Sequence, residues 1–353
     1  MQAEGAQPVE SAGRPYAPGF PDRLLEAAGL NTRAGWLVYT VVAVAVTFVY
    51  WGVAWSEGTF PARATPMHVV LPTLAFAGLP ALAWFNRLAR RSLRSAQPVL
   101  RGDAAAYEGL AHRLTTMPTA LAVGAAVSGL LALAGLTALQ PPDTYERLQI
   151  MITPIATVIE WIFQFMTWVG VGIGGVEIAR KLWVIDDIYR NHVQMNVLRP
   201  GPLSAFSRLA AGMVIFTLAA VVLGTLALGE LASNNLWWIG GGLPTILAAM
   251  AFVAPLWGAH RLMAQEKTRN VDALNEMIET SIGRLRVTVD TDRLDNAGPL
   301  TTALEGLIAA RNEYQAVSTW PWQRSTLGSV VTALAAPLGV WLITRLLERV
   351  AIP

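Results

Sequence analysis

Long apolar stretches separated by short polar ones dominate the chain. Seven windows reach the ~18 nearly uncharged residues that a membrane span needs: Ala34 to Trp55, Met67 to Phe85, Met117 to Leu139, Ile150 to Val176, Leu209 to Leu231, Leu236 to Gly258 and Leu327 to Thr344. In hydrocarbon each backbone group must find its partner within the protein, so such windows form helices. The pattern therefore predicts an all-α, polytopic membrane protein with seven transmembrane helices. Pro337 leaves a re-entrant course open for the last window, although a full span is expected.

Arginine and lysine in the connections set the orientation, because they stay on the cytoplasmic side during insertion. From the N-terminus, the eight terminal or connecting segments hold three, one, six, one, five, none, eight and two of the 26 such residues. That alternation places the N-terminus inside and the C-terminus outside. It divides the chain into a cytoplasmic tail (1–33), six spans within 34–258 with basic loops at 86–116 and 177–208, a soluble segment (259–325), and a final span with a short tail (326–353). The Pro/Gly/Ala-rich stretch Gln2 to Gly19 reads as disordered and lacks the apolar core of a signal peptide.

In the soluble segment, Val271, Leu274, Ile278, Ile282, Leu285 and Val289 recur at steps of three and four. A turn at Asp295 to Pro299 then leads to Leu300, Leu304, Leu307, Ile308, Tyr314 and Val317. This predicts a helical hairpin with a coiled-coil-like seam, suited to oligomerisation or packing. If its first arm continues the sixth span without a break, hairpin motions reach the membrane directly. Asp290, Asp292 and Asp295 at its tip do not form a calcium loop, since Asp295 stands where the loop needs glycine. Trp320 and Trp322, on either side of Pro321, read as an interfacial anchor for the last helix.

Composition agrees with the class: 54% of residues are hydrophobic and 14% charged, against about 25% charged in soluble domains. A net charge of +2 provides no field for nucleic acid, and the absence of cysteine excludes disulfides and thiolate metal sites. Arginine outnumbers lysine 24 to 2, a bias of GC-rich bacterial genomes that points to a bacterial cytoplasmic membrane. Anionic lipid is a candidate partner for Arg87, Arg90, Arg91 and Arg94, beside the second span.

Candidate chemistry concentrates in the fourth span. Thr153, Thr157, Glu160, Gln164, Thr167 and Gly174 follow at steps of 4, 3, 4, 3 and 7, which is one helical face. Counted from Ile150, Glu160 lies roughly 15 Å deep, near the middle of a ~30 Å core. A carboxylate at that depth is a functional-site hypothesis by default. One reading is a water-filled path with Glu160 and Gln164 at its waist, narrowed by Trp161 and Trp168. The other is interhelical hydrogen bonding worth ~1 kcal/mol. Continuity of the threonines favours the path. Below it, Gly170 and Gly174 form a small-residue pair for close helix packing or a hinge; Gly124 with Ser128 and Ala125 with Gly129 form similar pairs in the third span.

No zinc-protease, serine-hydrolase or phosphate-loop motif occurs, and the four histidines suggest no haem pair. Neither a cofactor nor a bound metal is therefore expected, and no enzymatic activity. The sequence thus favours an oligomeric ion channel or small-solute conduit. The alternative is a membrane scaffold or sensor acting through its cytoplasmic hairpin.

Overall fold

The computed structural model describes residues 16–140, 143–193, 204–228, 242–291, 297–320 and 324–351. Among these residues the fold is entirely helical, and seven helices are long and apolar enough to cross a membrane. In chain order the helices are α1 (Phe20–Ala27), α2 (Arg33–Ser56), α3 (Met67–Ala96), α4 (Ala104–Thr115), α5 (Thr119–Leu139) and α6 (Thr144–Arg147). They continue with α7 (Pro154–Asp187), α8 (Ser204–Leu228), α9 (Leu243–Asp290), α10 (Ala297–Ala316) and α11 (Arg324–Ala351).

Local sequence explains several boundaries. The Thr32 side chain accepts the Gly35 N–H at 3.0 Å and starts α2; Asp103 does the same for α4 through Ala106 at 2.9 Å. Thr153 caps α7 and Pro154 opens it, where its missing N–H leaves nothing unsatisfied. Just before, Gln149 and Met151 have left-handed φ values of 54° and 55° and reverse the chain. The fourth span therefore begins four residues later than Ile150, which changes the depth of Glu160.

The core lies where α3, α4, α7, α8, α9 and α11 meet, around Phe85, Leu114, Tyr189, Phe206, Leu256 and Val330. By contrast, α2 fully buries only Tyr50 and Ala54, packs Trp36, Tyr39 and Trp51 partly, and leaves most of its other apolar side chains exposed, as a lipid-facing helix does. The α5 and α7 backbones touch. A side chain at Gly129 would collide with the Trp168 carbonyl, and one at Gly172 with the Ala125 carbonyl. Gly170 faces Gly78 of α3, while Gly174 has open space around it. The close approach thus uses Gly172 with the expected Ala125 and Gly129, and Gly174 takes no part in it.

Several segments are more ordered than their composition implies. Residues 86–116 are mostly helical, with Ala89, Leu93, Leu110 and Leu114 buried in the core. Within the expected tail, Leu25 and Leu30 are buried against Leu82 and Ala83 of α3. Here the Tyr16 hydroxyl donates to the Thr116 carbonyl at 2.8 Å, and the Gly19 N–H to that of Met117 at 2.9 Å. Residues 1–15 lie outside the described residues.

The condition set for the hairpin is met. α9 runs 48 residues without a break, about 72 Å at 1.5 Å per residue, and α10 packs back along it. The Lys267 ammonium ties the base of the hairpin to the carbonyls of Gln315 (2.6 Å) and Val317 (2.9 Å). α11 is one helix of 28 residues with Pro337 inside it, and it packs on α8.

Candidate functional site

Polar groups gather at two places along α7. The first surrounds Glu160, which is 2% exposed. The Tyr50 hydroxyl of α2 donates to its Oε1 at 2.7 Å, and the Met151 N–H donates to its Oε2. Thr153 donates its hydroxyl to Glu57 Oε1, and Glu57 Oε2 is enclosed without a partner. The Tyr50 ring stacks on His68 at 6.2 Å and meets Phe163 edge-on at 5.5 Å. His68 Nδ1 accepts the Thr65 N–H at 3.3 Å, and the Thr65 hydroxyl donates to the Leu148 carbonyl at 2.8 Å.

These contacts revise the stripe. Glu160 stands six residues into α7, roughly 9 Å from its start, and its carboxylate turns back toward the preceding turn. It is enclosed by α2 and by that turn. Thr157 is half-buried. Gln164 Oε1 accepts the Trp168 indole N–H at 3.3 Å, so these two satisfy each other, and the Thr167 hydroxyl is enclosed without a partner. Trp161 is 40% exposed, on the outside of the single chain. It lies 22 residues before Trp183, which is 65% exposed. That spacing, about 33 Å along the axis, matches two interfacial tryptophans on either side of a ~30 Å core.

Sequence reasoning missed the second gathering, at the other end of α7. Glu177 and Lys181 are 1% and 0% exposed, although they open the basic segment 177–208 that the arginine count places in the cytoplasm. Lys181 Nζ lies 2.5 Å from Glu177 Oε1 and donates to Asn86 Oδ1 (2.7 Å) and to the Leu114 carbonyl (2.6 Å). Arg180 grips both Glu177 oxygens at 2.8 Å and also donates to the Arg113 carbonyl. Arg113 pairs with Asp187 at 3.0 Å, and Asp186 with Arg190 at 2.9 Å. The signal was the spacing of Glu177, Arg180 and Lys181 at i, i+3 and i+4, with apolar residues before and after.

Tyr16 and the first turn of α1 close over this cluster. Asp22 Oδ2 accepts the Met117 N–H at 3.0 Å, and His112 Nε2 lies 2.8 Å from the Tyr16 carbonyl oxygen. Burial raises both the Asp22 carboxyl and the Tyr16 hydroxyl above their ordinary pKa values.

The remaining candidates are dispersed. Arg87 is turned inward: it donates to the Leu30 carbonyl and its guanidinium lies 4.8 Å from the Trp36 ring centroid, so it is engaged by protein. Arg90, Arg91 and Arg94 are exposed. Trp320 stacks on His260 of α9 at 4.0 Å and contacts Trp257, while Trp322 lies outside the described residues. Among the described residues no three His, Asp or Glu side chains are arranged to hold a metal ion.

The geometry can do two things chemically. The Glu160 cluster concentrates two carboxylates with no cation paired to them among the described residues, whereas the Glu177 cluster balances its charges and fixes α7 to α3 and α4. No family model, curated protein or solved structure matches the chain.

Proposed function

We propose that the protein is a multi-pass sensor or scaffold of a bacterial cytoplasmic membrane, non-catalytic, whose cytoplasmic hairpin is its output surface. One observation carries this reading: α9 continues from its membrane-spanning part into the hairpin as a single 48-residue helix. A second contact supports it. The Asp186 carboxylate of α7 rests against Gly258 of α9, where a side chain at Gly258 would collide with Asp186 Oδ1. α7 therefore links the Glu160 cluster mechanically to α9. Met277, Ile282, Val287 and Val289 remain exposed on the hairpin, apolar surface that fits a partner protein or a second copy of the chain.

The test is deletion of Asp272 to Val317. The shortened protein is expected to insert into membranes normally yet to lose the partners that the full chain captures in crosslinking from native membranes. Retention of the same partners contradicts the proposal.

An oligomeric ion conduit lined by α7 is a second reading. Thr157 and Gln164, polar and only half-buried on one face of α7, support it as groups open to a neighbouring copy or to water. Ion flux in liposomes that changes in Glu160→Gln supports the conduit; absence of flux from the wild type rejects it.

A further inference from the structure

On the outside of the bundle, α3, α8 and α11 leave a groove of about 540 Å³ lined by Trp84, Gly212, Ile215, Ala219 and Ser329, with Arg208 at one end. The absence of a side chain at Gly212 shapes it. A Cβ there would lie 2.9 Å from Leu88 Cδ2 and 3.1 Å from Trp84 Cη2, so a larger residue would press on both side chains. From Arg208 to Ala219 the groove follows eleven residues of α8, about 16 Å, which is close to half of a ~30 Å hydrocarbon core. Its length is thus that of one leaflet.

The charged end lies on the side that the arginine distribution assigns to the cytoplasm. The Ser92 hydroxyl donates to the Ala205 carbonyl at 2.8 Å and sets α3 antiparallel to α8 there. Arg91 shares the α3 face of Trp84 and Leu88 and falls at the level of the first turns of α8. Arg91 and Arg208 are both exposed, neither has an ion pair among the described residues, and the groove lining contains no acidic side chain.

We propose that this groove holds an acyl chain of an anionic phospholipid from the cytoplasmic leaflet, with the headgroup phosphate between Arg91 and Arg208. In a bilayer an apolar groove of leaflet length is filled by lipid, and two unpaired arginines at its mouth select the charged headgroup.

The test uses quenching of Trp84 by lipids brominated on the acyl chains. The delipidated full chain is titrated in detergent with brominated phosphatidylglycerol or phosphatidylcholine, and the Trp84 signal is isolated by subtracting Trp84→Phe. Phosphatidylglycerol is expected to quench that component at concentrations where phosphatidylcholine does not. Replacing Arg91 and Arg208 together by alanine is expected to weaken binding about thirtyfold, at about one kilocalorie per charge. Ala219→Trp, at an exposed groove position, is expected to block quenching while thermal unfolding is unchanged. Equal quenching by the two lipids, no quenching of the Trp84 component by either, or wild-type affinity in the double-arginine variant overturns the proposal.

Discussion

The two polar clusters on α7 stand 17 residues apart, Glu160 to Glu177, about 25 Å along one helix, and they are built on opposite principles. At Glu160 a carboxylate is held by neutral donors, a tyrosine hydroxyl and a backbone N–H, with a second carboxylate, Glu57, close by. At Glu177 the carboxylate is enclosed by two cations, and further protons of those cations go to an amide oxygen of α3 and to carbonyl oxygens of α4. A buried charge without its partner is costly, so the Glu177 cluster is a fixed joint. The Glu160 cluster is held by neutral donors with no ion pair among the described residues, so it is the more easily altered end of α7. The conspicuous residue in the sequence thus marks the adjustable end, and the inconspicuous one the rigid end.

Unequal mutational effects are the direct way to break this contrast. Glu177→Ala leaves Lys181 charged in a fully buried site and is expected to reduce stability by about 3–5 kcal/mol, measured by thermal unfolding in detergent. If Glu160→Ala is as damaging, the contrast fails. Lys181→Met is expected to be milder, because Glu177 keeps both contacts to Arg180. Next comes Gly172→Val, which drives a side chain into the Ala125 carbonyl and is expected to cost about 1–3 kcal/mol by overpacking. The same change at Gly174, which faces open space, is expected to be near neutral.

A smaller effect is expected where the donors are neutral. Tyr50→Phe and Glu160→Gln each disturb one hydrogen-bonded pair and are expected to cost about 1 kcal/mol. A double-mutant cycle between them is expected to show coupling, and strict additivity contradicts the bond. The smallest effect concerns Asp22, whose carboxyl is raised by burial. A raised acid favours its protonated form in the fold, so its contribution is full below the ordinary carboxylate range and is lost as pH rises through its raised value. Protection of residues 16–30 from proteolysis is therefore expected to weaken slightly over that pH range, and Asp22→Asn to abolish the dependence.

Much of the architecture was legible because membrane spans obey a length rule that seven windows satisfy plainly. The continuity of α9 was legible as a condition, since the apolar spacing runs on from Leu256 through Met263 to Ile278. Glu160 was identifiable by its isolation, but its neighbours were not. Tyr50 and Met151 approach it from 110 and 9 residues away, and only the reversal at Gln149 and Met151 makes the second contact. Glu177 and Lys181 escaped because hydropathy assigns a charged run beside a span to water. Their burial depends on Asn86 and the end of α4, distant in sequence. Lysine itself carried an unread signal: among 26 basic residues, both lysines donate to main-chain carbonyls at helix ends, Lys181 at Leu114 and Lys267 at Gln315 and Val317.

The central claim is that α7 and α9 join the Glu160 cluster to the hairpin. Hydrogen–deuterium exchange of the wild type and Glu160→Gln in nanodiscs tests it most directly. The account predicts altered exchange in residues 148–165 together with altered exchange in the hairpin, 261–290 and 297–316. A change confined to residues 148–165, with the hairpin exchanging as in the wild type, contradicts it.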